Sequence, residues 1–164
     1  MKYAIIISII SLAIVFACNQ PANNNQLLQN RIDSLEQKLA DTYKPGFGEF
    51  MSEIQVHHAK LWFAAQNQNW PLANFEMNEI KEALSGIKKY CTDRPETKDI
   101  VMIDAPMDSI SHAIEQKNNL QFKNSYILLT NKCNSCHQTT NHEFNVITIP
   151  KNVPFSNQDF KANN

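Results

Sequence analysis

Five consecutive residues near the carboxyl end, Cys133-Asn134-Ser135-Cys136-His137, set two thiols and an imidazole in one short stretch. This C-x-x-C-H pattern is the one used for covalent c-type haem attachment. On a helix, positions i, i+3 and i+4 share a face, so both sulfurs and the ring would project together. Thioethers from Cys133 and Cys136 would then hold the edge of one macrocycle while His137 reaches its iron. Other chemistries use the same residue types. A redox dithiol belongs at the start of a helix that follows a strand, a setting this chain lacks. A zinc site from Cys133, Cys136, His137 and His142 would need the adjacent side chains 136 and 137 as tetrahedral partners, and there is no second C-x-x-C. A disulfide between Cys133 and Cys136 inside a helix would be strained. One covalently bound haem c is the cofactor the spacing favours.

The elements that must position this motif are helical. The chain has 164 residues, 43% hydrophobic and 19% charged, with 15 Lys+Arg against 16 Asp+Glu. That balance excludes a disordered polymer and a basic nucleic-acid binder, and the length argues against a multi-domain enzyme. Three glycines leave little punctuation for hairpins or phosphate loops. From Gly48 to about Asn67, Phe47, Phe50, Met51, Ile54, His58, Leu61 and Ala65 form one apolar stripe. Asn69 is a candidate N-cap with Pro71 just inside the next helix, which runs to about Tyr90. In it Ala73, Met77, Ile80, Leu84 and Ile87 face inward and Glu76, Glu79 and Glu82 outward. An irregular stretch through Ile100, Val101 and Ile103 leads to a third helix, about Met107 to Lys117, and a fourth, about Asn119 to Thr140. Short connections between four such helices predict an all-α, antiparallel four-helix bundle over 46–141. Residues 142–164, with Pro150 and Pro154, read as an extended tail packed on it.

The amino terminus reads as an address. Lys2 precedes an uncharged apolar run from Ala4 to Ala17, shorter than the about twenty residues a membrane span takes. Its end at Ala17-Cys18 resembles the lipobox of bacterial lipoproteins, which implies a signal over 1–18, export, and lipid attachment at Cys18. Residues 19–45 then hold a solvated tether, Asn19 to Gln26, and a helix from Leu27 to Tyr43. In that helix Leu28, Ile32, Leu35 and Leu39 alternate at four- and three-residue steps, the seam of a short coiled coil. Packing on its own domain, a loose stalk and self-association into a homo-oligomer are all compatible with that seam.

A bundle whose C-x-x-C-H lies late in the last helix, after Phe122, Tyr126 and Leu129, resembles the class II c-type cytochromes, the cytochrome c prime and cytochrome c-556 group. The resemblance covers about Phe47 to Thr140 and leaves out the lipoprotein-like start, the stalk helix and the tail. In that family a residue early in the first helix overhangs the far face of the haem. Counted back from Trp70, that place falls at Phe50 or Met51, and Met51 is the expected sixth ligand, since a thioether paired with histidine raises the reduction potential. His57 and His58 are the rivals; adjacent helical residues diverge by about 100°, so one ring at most faces the iron. A position left empty behind Phe50 or Ile54 is the remaining option.

The resemblance implies an electron carrier rather than an enzyme, and the lipoprotein-like start implies that it is periplasmic or at the outer face of a bacterial membrane. It would be held to the membrane by its lipid and would exchange single electrons with redox partner proteins. The alternatives are a five-coordinate gas-binding protein, and a non-redox surface lipoprotein with a zinc or disulfide site. Trp62, Phe63, Trp70 and Phe75 are expected in the core, Cys91 buried and inert, His112 at the surface, and His142 and Phe144 near the haem edge. Lys88, Lys89 and Arg94 are too scattered to define a docking face.

Overall fold

A computed structural model describes residues 22–42 and 45–162, and the expected signal, Cys18 and Tyr43 lie outside these. The described residues form five α-helices, one 3-10 helix and no strand. The helices are α1 Ala22–Thr42, α2 Phe47–Gln66, α3 Trp70–Tyr90, α4 Asp104–Glu115 and α5 Asn119–Thr139, with the 3-10 helix at Pro95–Ile103 between α3 and α4. The chain divides into two units at Lys44 and Pro45. Among the described residues no helix is long and apolar enough to cross a membrane.

In the first unit, α1 begins at Ala22, so residues 22–26 are helical and not tether. Nothing there breaks a helix, and Gln26 and Gln29 each donate four residues on, to Asn30 and Asp33.

In the second unit α2 packs along α3 and α4 along α5, with the 3-10 helix against α5. Side chains cap the starts of α2, α3 and α5. Glu49 accepts from the Gly46 N–H, Asn69 from Leu72 and Asn118 from Gln121. Three helices end in left-handed residues, Gln68 after α2, Lys117 after α4 and Asn141 after α5, with φ of 53–60°. Each lets the next N–H return to a carbonyl five residues back, at Ala64, Ala113 and His137.

Leu61, Ala65, Ala73, Met77, Ile80, Ile87, Ile110, Phe122, Tyr126 and Leu129 are buried together. Three expectations need correction. Helix α4 starts at Asp104, because Pro106 falls in the first turn, where an N–H has no helical partner, and residues 95–103 wind as a 3-10 helix. Glu76 is 1% exposed. It shares the inward face with Ile80 and Ala83, at helical spacing, and its carboxylate accepts from His57 Nδ1 at 2.6 Å. Phe75 is 52% exposed, because it lies with Asn78 and Glu82 on the outer face of α3.

Phe50 turns toward α3, where a Cβ at Gly86 would stand 2.7 Å from its Cζ. Gly86→Ala should therefore lower stability by roughly 1 kcal/mol, overpacking outweighing the gain in helix propensity. In a Phe50→Ala background, urea unfolding should show the same change stabilising.

Beyond α5 the tail is irregular and returns along α2. Lys60 lies over the Phe155 ring, Phe160 is buried against Phe63, and Asn69 donates to the Lys161 carbonyl.

Candidate functional site

The second unit contains a cavity of about 480 Å³, within the 300–1,000 Å³ range of small-molecule sites. One wall is the amino-terminal half of α2, with Phe47, Met51, Ile54 and His58. The apolar stripe of α2 is closed over from His58 onward but only partly buried at Phe47, Met51 and Ile54. The stripe is therefore unfilled where it borders the cavity. Opposite elements contribute Cys133, Cys136 and His137 from the last turns of α5, Arg94 and Glu96, and the tail residues His142, Asn145 and Ile147.

All three motif residues thus line one cavity. Both sulfurs are free thiols. Burial, and secondarily the neighbouring Cys136, pushes the Cys133 thiol up to about 12, and burial, then Asp99, raises that of Cys136. A dithiol built for exchange sits at a helix amino terminus with its thiolate favoured, and this pair sits at the opposite end. Cys133, Cys136 and His137 also do not converge as metal donors. Among the described residues the one such cluster is Glu53, His57 and Glu79, between α2 and α3.

The tail fixes the state of His137. Its Nδ1 lies 2.6 Å from the Asn145 carbonyl oxygen, which can only accept, so Nδ1 carries the proton. In the neutral ring Nε2 is then a free lone pair. A ligating histidine commonly has this arrangement, the outer N–H held by a carbonyl and the inner nitrogen left for metal. The left-handed turn at Asn141 brings the chain back for this contact. Asn134, between the cysteines, secures it by donating to the Ile147 carbonyl at 2.9 Å and accepting from the Ile147 N–H at 2.8 Å.

Neither α2 histidine offers the cavity a free nitrogen in the same way. His57 faces α3, on Glu76 and 4.0 Å from Glu79. His58 borders the cavity, but its Nδ1 meets the Tyr126 hydroxyl at 2.9 Å and its Nε2 the Thr130 hydroxyl at 3.0 Å. Burial lowers the His58 pKa to about 4, so the ring is neutral. Met51 reaches the cavity from the same helix. The tail adds His142, whose Nδ1 donates to the Thr140 carbonyl at 2.7 Å, while Phe144 is 80% exposed and stands outside. Arg94 holds Glu96 in a two-bonded ion pair at the cavity edge.

Sequence reasoning did not single out Asn134, Asn145 or Glu96. A main-chain carbonyl has no residue signature, and the role of Asn134 depends on where the tail returns. Cys91 is buried and His112 exposed, as expected.

Comparison with protein-family models, curated proteins and solved structures yields no match.

Proposed function

We propose that this chain is a monohaem c-type cytochrome of the class II kind, a carrier of single electrons. Its α2–α5 would be arranged as an antiparallel four-helix bundle. The observation that carries the reading is the convergence of Cys133, Cys136 and a His137 with Nε2 free on one cavity of suitable size. The site residues fit the group: two reduced sulfurs, one presented imidazole, and an apolar facing wall of Phe47, Met51 and Ile54.

Cys133 and Cys136 would hold the group through two thioethers, each S–H having added across one vinyl C=C with its hydrogen on the adjoining carbon and nothing leaving. Bound haem supplies one reversible electron between ferric and ferrous iron. His137 would be the proximal ligand, aligned by Asn145, and Met51 the ligand on the α2 side. Arg94 and His142 would meet the haem carboxylates. Phe47 and Ile54 would exclude water, and with it stabilise the reduced, less charged state.

The signal-like run ending at Cys18 supports export and lipid attachment, which would put the carrier at a membrane face, where maturation of C-x-x-C-H proteins also occurs. Production with a c-type maturation system, followed by haem staining of a denaturing gel, tests the proposal. A band that keeps its stain after denaturation is expected. Colourless protein from cells that mature a control cytochrome overturns it, and with it the assignment of every ligand.

A further inference from the structure

Helix α1 carries an exposed apolar stripe. Leu28, Ile32, Leu35 and Leu39 are 47–70% exposed, and every residue from Asn24 to Thr42 is exposed. At 21 residues α1 is not far beyond the length at which isolated helices are marginal in water. It has no acid in its first turn and no base in its last to oppose the helix dipole. Such a helix draws its stability from a partner along the stripe.

The sequence specifies which partner. With Ile32 and Leu39 at heptad position a and Leu28 and Leu35 at d, Asn25 falls on the preceding a and Thr42 on the following d. A β-branched residue at a with leucine at d favours two strands, a pattern that Ile32 meets with Leu28 and Leu35 while Leu39 does not, and one asparagine at a fixes the register. Arg31 and Lys38 occupy g, and Gln29 and Glu36 occupy e.

In a parallel pair each g residue faces the e residue five places on in the other chain, so Arg31 meets Glu36 of the second copy, twice by symmetry. Within one helix the two cannot meet, because side-chain neighbours are three or four apart. The neighbours of Arg31 are Leu27, Leu28, Ser34 and Leu35, none of them acidic. Those of Glu36 are Ile32, Asp33, Leu39 and Ala40, none of them basic. An antiparallel pair would set g against g, Arg31 facing Lys38, with like charges in contact.

We propose that α1 pairs with α1 of a second copy of this chain as a parallel two-stranded coiled coil, joining two copies through their stalks. The inference rests on α1 alone and is independent of the haem reading.

The test is disulfide trapping of the full chain in the cells that produce it, read on non-reducing gels against the wild-type background. Asn25→Cys, on the seam, is expected to give a dimer band, and Gln37→Cys, on the outer face, is not. Adding Leu35→Lys should abolish the band. Adding Arg31→Glu or Glu36→Arg alone should slow trapping about tenfold, two attractions becoming repulsions, and the two together should restore it. Equal trapping at positions 25 and 37, or a band that survives Leu35→Lys, overturns the proposal. Failure of the double exchange to restore trapping, or trapping of Asn25→Cys only with co-produced Thr42→Cys, overturns the parallel arrangement.

Discussion

Haem-loaded Met51→Ala protein is expected to show a high-spin spectrum and to bind carbon monoxide when reduced, and haem-loaded wild type to be low-spin and indifferent to the gas. The reason lies in what occupies each rival donor. Phe50 is turned to Gly86 and has no donor to offer. His57 is committed to Glu76, a carboxylate 1% exposed that would be left buried beside an absent partner if the ring swung away. His58 would have to give up the Thr130 contact to free Nε2 or the Tyr126 contact to free Nδ1. Met51 lies on the cavity wall, and a thioether is a competent axial partner for a histidine-ligated iron. Loss of that sulfur leaves alanine, which cannot coordinate, so the change is of kind and not of degree. Optical spectra of both redox states, with and without carbon monoxide, read it directly. A low-spin spectrum that survives Met51→Ala rejects the assignment. His142→Ala is then the variant to read, because His142 also lines the cavity with its Nε2 uncommitted.

The second large effect is on acid stability. His58 is buried between Tyr126 and Thr130, and desolvation lowers its pKa from 6.5 to about 4. Unfolded, the ring takes up a proton at its ordinary value. Between these limits the unfolded chain binds more protons than the folded one, so stability rises with pH through this window. Its contribution is complete above pH 6.5 and is lost as pH falls toward 4. The depression corresponds to about 3 kcal/mol, a large share of the 5–15 kcal/mol typical of a domain. Urea unfolding at intervals from pH 7 to 4.5 should show the wild type losing stability between pH 6.5 and 5, above the range where carboxylates titrate. His58→Gln, which keeps a donor and an acceptor for the two hydroxyls, should start less stable at pH 7 and show a flatter profile. Parallel curves for the two proteins would mean that His58 is not the group responsible.

The motif was legible because covalent attachment and ligation demand particular residue types at particular steps, and Cys133, Cys136 and His137 meet that demand within five residues. The helix start at Asn69 was legible for a similar reason: a side-chain oxygen must reach a main-chain N–H two or three residues on, whereas the same cap at Asn118 emerged only with the structure. Residues 95–103 were harder to read, since a 3-10 turn has no periodic apolar stripe to announce it. Glu76 and Phe75 exchanged their expected places. Residue type argued for an outward carboxylate and an inward ring, but angular position on α3 and the presence of His57 decided otherwise.

The sequence alone determined the helical class, the two sulfurs and imidazole on one face, and the a, d, e and g residues of α1. These follow from local periodicity, which the chain carries with it. Tertiary structure alone decided that Met51 borders the cavity while His57 turns away, that Glu76 is buried, and that Asn145 sets the tautomer of His137. The physical reason is that each depends on the meeting of segments distant along the chain. A histidine's free nitrogen is chosen by whatever faces the other one, and here that is a main-chain carbonyl delivered by the return of the tail.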